Sequence, residues 1–190
     1  MLVLASQSPR RREILTSAGI PFVVRAPRIT EARGDGEEPE NYVRRLAREK
    51  AVAVERGSSE IVLAADTIVV VNGEILEKPR DTADATRMLC LLSGREHQVM
   101  TGICVHSAAA TLVDSAATHV RFIRLSESEI ADYVASGEPM DKAGGYAIQG
   151  LASKFIDRIE GCYFNVVGLP IALVYRHLRE TGLKENDFAV

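Results

Sequence analysis

Ile61-Val-Leu-Ala-Ala-Asp66-Thr67-Ile-Val-Val-Val71 is an almost continuous apolar, β-branched run, the pattern of a strand covered on both faces. A single acid, Asp66, interrupts it. An ionised carboxylate so placed costs several kcal/mol unless a cation or hydrogen-bond donors meet it. Selection for stability alone favours Val or Ala there. Asp66 is therefore either a buried residue that ties down a neighbouring loop, or a metal ligand or general base at a strand's polar end. More unusual polar residues follow close behind, which weighs toward the second.

Before this run, Leu2 to Ala5 reads as a short buried strand. Ser8 is a good N-cap, Pro9 suits the first helical position, and Gly19 closes that helix. Pro21 to Arg25 suggests a second strand, a polar loop follows from Thr30 to Glu40, and a helix spans about Pro39 to Arg56. Beyond the Asp66 strand, Asn72-Gly73 signals a hairpin into Glu74-Ile-Leu-Glu77. Thr82 is expected to cap a helix through Leu92. His97 to His106 and Leu112 to Arg124 read as longer strands, and Ser126-Glu-Ser-Glu129 as a capping box. Short strands are expected at Tyr146 to Gln149, Lys154 to Ile159 and Tyr163 to Val167. A last helix follows from Pro170 to Thr181, then a frayed tail at Lys184 to Val190. Elements that alternate first and pair as hairpins later imply an α/β fold with a mixed sheet.

The 190 residues suit one domain over 1–190, or two small lobes sharing a sheet. A formal net charge of −3 argues against broad nucleic-acid binding, and only 5% of residues are aromatic, too few for a stacking platform. Cys90, Cys104 and Cys162 lack CxxC spacing and read as buried thiols in a reducing compartment. The N-terminus lacks the basic region of a signal peptide, and no apolar stretch approaches a bilayer span. A cytoplasmic protein without a membrane partner is expected.

Three blocks carry candidate chemistry. Ser6, Ser8, Arg10 and Arg11 surround the start of the first helix, where free N–H groups, hydroxyls and forked guanidinium groups suit phosphate. Arg12 reads as solvated. In the second helix Val43, Leu46, Ala47, Ala51 and Val54 form an apolar stripe with Lys50 inside it, either snorkelling to the rim or aimed into a cleft. Arg44, Arg45, Arg48 and Glu49 look like a solvated face. Past the hairpin, Glu77 with Asp66 offers hard oxygen ligands, of which Mg²⁺ needs one or two, and Lys78 would face phosphate. Alternatively this block is a surface ion-pair cluster. In the third block, Gly144 and Gly145 allow positive φ or close backbone approach, and Gln149 ends in an amide able to read a base edge. Asp141 fits a role within its own loop. His97, His106, His119 and His177 lack ligand spacing, and no nucleophile set is evident.

Taken together, Leu4-Ala-Ser-Gln-Ser-Pro-Arg-Arg-Arg-Glu-Ile-Leu15, Ala65-Asp-Thr-Ile-Val69 with Leu76-Glu-Lys-Pro79, and Asp141-Lys-Ala-Gly-Gly-Tyr-Ala-Ile-Gln-Gly150 resemble the Maf family of nucleotide pyrophosphatases. The similarity continues through Leu92-Ser-Gly94, His97-Gln-Val99 and Asn165-Val-Val-Gly-Leu-Pro170. The resemblance implies hydrolysis of nucleoside triphosphates to the monophosphate and pyrophosphate with Mg²⁺ or Mn²⁺. It implies the fold of inosine triphosphate pyrophosphatases, a long curved mixed β-sheet flanked by helices in two lobes around a central cleft, commonly as a homodimer. Asp66 matches the family's proton acceptor, and Arg11, Thr67 and Gln149 match positions that tune base selection. The Asp-Thr pair and Gly-Tyr-Ala-Ile-Gln segment look like the branch acting on dTTP and UTP. The chain departs from commoner members at Leu151-Ala-Ser-Lys154 and at Cys162.

On these readings combined, Ser6, Ser8, Arg10, Arg11, Lys50 and Lys78 hold the triphosphate. Asp66, Glu77 and Glu31 bind the metal and orient water, and Thr67 and Gln149 meet the base. The competing readings are a purine-directed house-cleaning pyrophosphatase and a nucleotide-binding regulator of cell division without turnover.

Overall fold

Seven strands form one mixed sheet in the computed structural model, which describes residues 1–181. The tail expected to fray lies outside the described residues. The chain divides into two compact units. Met1–Asp66, Thr101–Ala116 and the described residues from Gly168 make the first; Thr67–Met100 and Ala117–Val167 make the second.

In the first unit, β1 (Leu2–Leu4) pairs in parallel with β2 (Phe22–Val24) and with β3 (Ile61–Val71), Leu2 standing opposite both Phe22 and Ile61. Helices make the two crossovers that parallel neighbours require. The first, α1 (Pro9–Ser17), starts where Ser8 in extended conformation accepts from the Arg11 amide, and stops before Gly19 at φ +66°. The second, α2 (Pro39–Val52), buries the expected stripe: Val43, Leu46, Ala47, Lys50 and Ala51 are all inside. Its Ala47 and Ala51 pack on Val3, Ala5, Val62 and Ala64 of the sheet. Small residues let helix and strand come close, and the limit is reached at Gly102 of β5 (Glu96–His106), where a Cβ would overlap the Val43 carbonyl.

In the second unit, β3 runs on past Asp66 and turns at Asn72 (φ +51°) and Gly73 (φ +79°) into β4 (Glu74–Leu76), antiparallel with Val71 opposite Glu74. Positive φ at both central residues is what an Asn-Gly hairpin supplies. The strand order is β2-β1-β3-β5-β6-β7, where β6 is Thr111–Phe122, β7 is Ile156–Glu160, and β4 pairs with β3. Helices α3 (Thr82–Leu92) and α4 (Glu127–Ala135) bury Leu89, Leu92, Ile130 and Tyr133 in a core shared with Val69, Leu76 and Phe122. The capping box at α4 is present in full: the Ser126 hydroxyl accepts from the Glu129 amide and the Glu129 carboxylate from the Ser126 amide.

Several expectations need correction. The cap of α3 is Asp81, not Thr82, because the Asp81 carboxylate accepts from the Asp84 amide at 2.8 Å. Tyr146 to Gln149 is no strand; Gln149 lies in a turn closed by Gly150 N–H to Ala147 C=O at 3.1 Å. Lys154 belongs to a short 3-10 segment, Leu151–Phe155, that precedes β7. Tyr163–Val167 forms a short helix, α5, despite its apolar look. Its start is tied to Thr118, whose hydroxyl accepts from Cys162 N–H and donates to Cys162 C=O, while Asn165 donates its buried amide to Val99 C=O at 2.9 Å. Side-chain anchoring overrides β-propensity there. The last helix, α6, covers Ile171–Glu180. Of the cysteines only Cys104 is buried, its thiol pushed up to about 12 by desolvation; Cys90 is exposed. No described helix is long and apolar enough to cross a membrane.

Candidate active site

The acid in the middle of β3 has a cation against it. Lys50 Nζ, carried by the apolar stripe of α2, lies 2.6 Å from Asp66 Oδ1 and 2.9 Å from Glu31 Oε1. Lys50 is 8% exposed and Asp66 7%. Of the two readings of Lys50, the structure selects the inward one: its ammonium is buried against the carboxylate, not at the rim. Burial raises the Asp66 carboxyl above its ordinary range, and the attraction of Lys50 and Arg11 only partly offsets this. A carboxylate of raised basicity beside a cation is what a general base needs.

Arg11 reaches toward the same strand. Its Nη1 donates to Ala65 C=O at 2.7 Å and to Ser6 Oγ at 3.2 Å, and its Nε to Gly168 C=O at 2.8 Å. Three of its hydrogen bonds are thus spent on bracing α1 to β3 and to the Gly168 turn, a structural duty the sequence did not reveal. Ser6 is buried, accepts from the Ser8 amide at 3.2 Å, and so orders the chain entering α1. Arg10 is half-exposed on the first turn and Arg12 is exposed, the latter as expected. Lys50 and Arg11 are the cations whose charge acts on Asp66, with Glu31 the neighbouring carboxylate and Arg10 beside Arg11 on the first turn.

Glu31 sits on a loop held by residues that sequence reading assigned to a solvated face. Arg45 grips Glu37 with both arms at 2.7 Å, donates to Ala32 C=O at 2.9 Å and pairs with Glu49 at 2.9 Å. The fork holds the Glu37 carboxyl down to about 2. Ala32 follows Glu31 directly, so the Arg45 anchor fixes the loop one residue from the carboxylate that meets Lys50. Nothing in the spacing of Glu37 and Arg45 distinguishes this from an ordinary surface pair.

In the second unit, Thr67 is half-buried, while Glu77, Lys78 and Gln149 are exposed. Gly144 and Gly145 both take positive φ, 69° and 70°. A Cβ on Gly144 would lie 2.7 Å from Val69, and the Gly144 amide donates to Glu77 C=O at 3.0 Å. The glycines therefore seat the third block against β3 and the Glu77 segment. Next to them, Tyr146 Oη and His97 Nε2 are 2.8 Å apart inside the core; burial lowers His97 to about 4, so the ring is neutral near pH 7. His106, His119 and His177 hydrogen-bond to Thr111, Glu96 and Asp114 respectively, consistent with structural roles. Asp141 pairs with Lys142 at 2.5 Å, within its own loop.

No group of three or more His, Cys, Asp or Glu side chains is gathered as a metal site among the described residues. Asp66 and Glu31 nonetheless present hard oxygen donors converging on one positive charge, the donor chemistry that Mg²⁺ or Mn²⁺ prefers; such ions need only one or two protein carboxylates when phosphate supplies the rest.

A family model described as Maf-like protein matches residues 1–181. A dTTP/UTP pyrophosphatase of Koribacter versatilis is 50% identical over 183 residues, 96% of this chain and 95% of the relative. A dTTP/UTP pyrophosphatase of Vibrio cholerae is 52% identical over 172 residues, 90% of this chain and 92% of the relative. Among solved structures, the Ham1 protein of Staphylococcus aureus superposes with a TM-score of 0.54 at 14% identity, over 95% of this chain and 98% of that one. At that identity the likeness shows a shared fold.

Proposed function

The chain belongs to the Maf-like protein family, and from that premise we propose that it hydrolyses nucleoside triphosphates, dTTP and UTP foremost, to the monophosphate and pyrophosphate. The contact that carries the reading is Lys50 Nζ to Asp66 Oδ1 at 2.6 Å, a raised carboxylate and a buried cation at the polar interruption of β3. The relatives at about half identity, both dTTP/UTP pyrophosphatases, supply the substrate class.

In this reading Asp66 takes a proton from water as its oxygen bonds to the α-phosphorus and the bond to the bridging oxygen breaks, releasing pyrophosphate. General-base help of this kind is worth roughly 10²–10⁴-fold in rate. Lys50 shifts its charge from the two carboxylates to phosphate oxygens, helped by Arg10, Arg11, Ser6, Ser8 and Lys78. Asp66, Glu31 and Glu77 would hold Mg²⁺ or Mn²⁺, which supplies Lewis-acid polarisation of the phosphate when bound. Thr67 and the exposed amide of Gln149 read the base, because an amide matches the donor–acceptor edge of uracil or thymine. A homodimer in the cytoplasm belongs to the same proposal, and sedimentation reads the assembly.

A panel of pyrimidine and purine triphosphates, with pyrophosphate quantified, tests it. Preference for dTTP and UTP is expected. Preference for inosine or methylated guanine triphosphates replaces the substrate assignment, and binding without turnover in Mg²⁺ removes the activity.

A further inference from the structure

The turn that carries Gln149 is held at one end by the Glu138 carboxylate and at the other by the tyrosine bonded to it. Glu138 Oε1 accepts from Tyr133 Oη at 2.8 Å, and Glu138 Oε2 accepts from the Leu151 amide at 3.0 Å. Tyr133 Oη in turn accepts from the Ala147 amide at 3.3 Å. The two backbone N–H groups so captured flank Ile148, Gln149 and Gly150. Gly150 lies directly over the carboxylate: a Cβ there would overlap both of its oxygens. A side chain at Gly150 would have to push that carboxylate off the turn.

The anchor is itself rigid. Tyr133 is 3% exposed on α4 and packs edge-on against Phe155 with ring centroids 5.5 Å apart. Burial, and then its bond to Glu138, holds its phenol above the usual range, so it stays a neutral donor. Glu138 follows Gly137 at φ +76°, and its own carbonyl accepts from Lys142 Nζ at 2.8 Å. Side chain and backbone of Glu138 are thus both committed. Meanwhile Gln149 is exposed at the tip of the turn.

We propose that Glu138, working through Tyr133, is the positioning residue that sets where Gln149 presents its amide, and hence how sharply the site discriminates among bases. The inference rests on Gln149 as the base-reading group. A hydrogen-bonding amide discriminates only when its place is held to within a fraction of an ångström, and misplacement by about 1 Å can cost 10²-fold. Glu138 and Tyr133 do not themselves touch the nucleotide in this scheme. Their removal acts on binding and selectivity more than on the chemical step.

The test compares Glu138→Ala, Glu138→Gln, Tyr133→Phe and Gln149→Ala for kcat and KM on dTTP and dCTP, with melting temperatures to confirm that each variant is folded at the assay temperature. Glu138→Ala is expected to raise KM for dTTP about tenfold with kcat within about threefold, and to shrink the dTTP-over-dCTP ratio of kcat/KM by about tenfold. Tyr133→Phe should move the same ratio less far, and Glu138→Gln, which keeps one acceptor oxygen, should recover part of it. A merely structural clamp lowers the melting temperature and leaves that ratio unmoved, which overturns the proposal. Should Gln149→Ala flatten the ratio while Glu138→Ala and Tyr133→Phe do not, the clamp fails and the reading of Gln149 stands. Should Gln149→Ala leave it unchanged, the reading of Gln149 fails and the clamp's role falls with it. If Glu138→Ala does not fold, Tyr133→Phe and Glu138→Gln decide between the same outcomes.

Discussion

Lys50 Nζ and Asp66 Oδ1 lie 2.6 Å apart with both side chains buried, so the cation on α2 is the counter-charge that lets an acid stand inside β3. Removing Lys50 leaves that acid without its closest partner. Lys50→Met is expected to cost about 3–5 kcal/mol at neutral pH, the usual penalty for orphaning a buried charge. Without the lysine, Asp66 rises further. A carboxylate raised in the folded state loses stability as pH climbs from its unfolded value toward the folded one, so the deficit should shrink on acidification. Adding Asp66→Asn should recover it as well. Denaturant unfolding at pH 7 and pH 5 reads both effects; a double variant no more stable than the single contradicts the account.

Asp66→Asn alone is the complementary case. The amide oxygen still accepts from Lys50, and Glu31 at 2.9 Å still supplies a negative charge. Because burial already raises Asp66, its ionised form is the costly one in the fold, and the neutral substitute should melt at the same temperature or higher. Turnover should fall by roughly 10²–10⁴-fold as the base is lost. Asp66→Asn with wild-type turnover would end the catalytic role.

Much of this was legible in the chain. The apolar run around Asp66, the Ser8-Pro9 helix start, the Asn72-Gly73 turn and the Ser126 capping box are local signals, and each appears where its residues stand. Asp66 and Lys50 were each conspicuous as polar residues in apolar patterns. That they meet each other depends on which α2 residue faces which β3 residue, information that no local pattern contains. The same holds for Glu138, unremarkable beside Pro139 yet bonded to residues five behind and thirteen ahead. Tyr163–Val167 misled because its helix depends on Thr118 and Asn165, an anchor made across the fold.

The Arg45–Glu37 pair should matter through Glu31. Glu37→Gln removes the bidentate grip that holds the loop at Ala32, and KM for triphosphate is expected to rise about 10-fold, the lower end of effects seen when a support for a ligand-binding group is lost. The pH dependence has a defined sign. Glu37 is depressed to about 2 in the fold, so its stabilising contribution is complete above the unfolded value near 4.3 and vanishes as pH falls toward 2. The gap in melting temperature between wild type and Glu37→Gln should therefore narrow below pH 4. A gap constant from pH 7 to pH 2.5 argues against the pair.

Gly102→Ala probes the closest approach of α2 to the sheet. A methyl there overlaps the Val43 carbonyl, so α2 must shift away from β5, and overpacking of this kind costs about 1–3 kcal/mol. Lys50 rides on the same helix, and its distance to Asp66 should lengthen with it. Activity is then expected to fall more steeply than stability at 25 °C; equal activity with lowered stability would mean that the helix moves without carrying Lys50.

Chelation separates the fold's needs from those of the chemistry. Asp66 and Glu31 already share the Lys50 ammonium, so their mutual repulsion is neutralised without a divalent ion. A site that depended on metal for its folding would lose stability on chelation, since anything bound to the native state alone stabilises it by mass action. Here the melting temperature in EDTA is expected to stay within about 1 °C of that in buffer alone, a shift corresponding to under about 0.5 kcal/mol for a chain of this size. Turnover should vanish in EDTA and return with Mg²⁺ or Mn²⁺. Adding a non-hydrolysable triphosphate should then raise the melting temperature more with metal than without, because nucleotide and ion bind as a unit. Full turnover in EDTA would leave Lys50, Arg10 and Arg11 as the charges that handle the phosphates and remove the ion from the scheme.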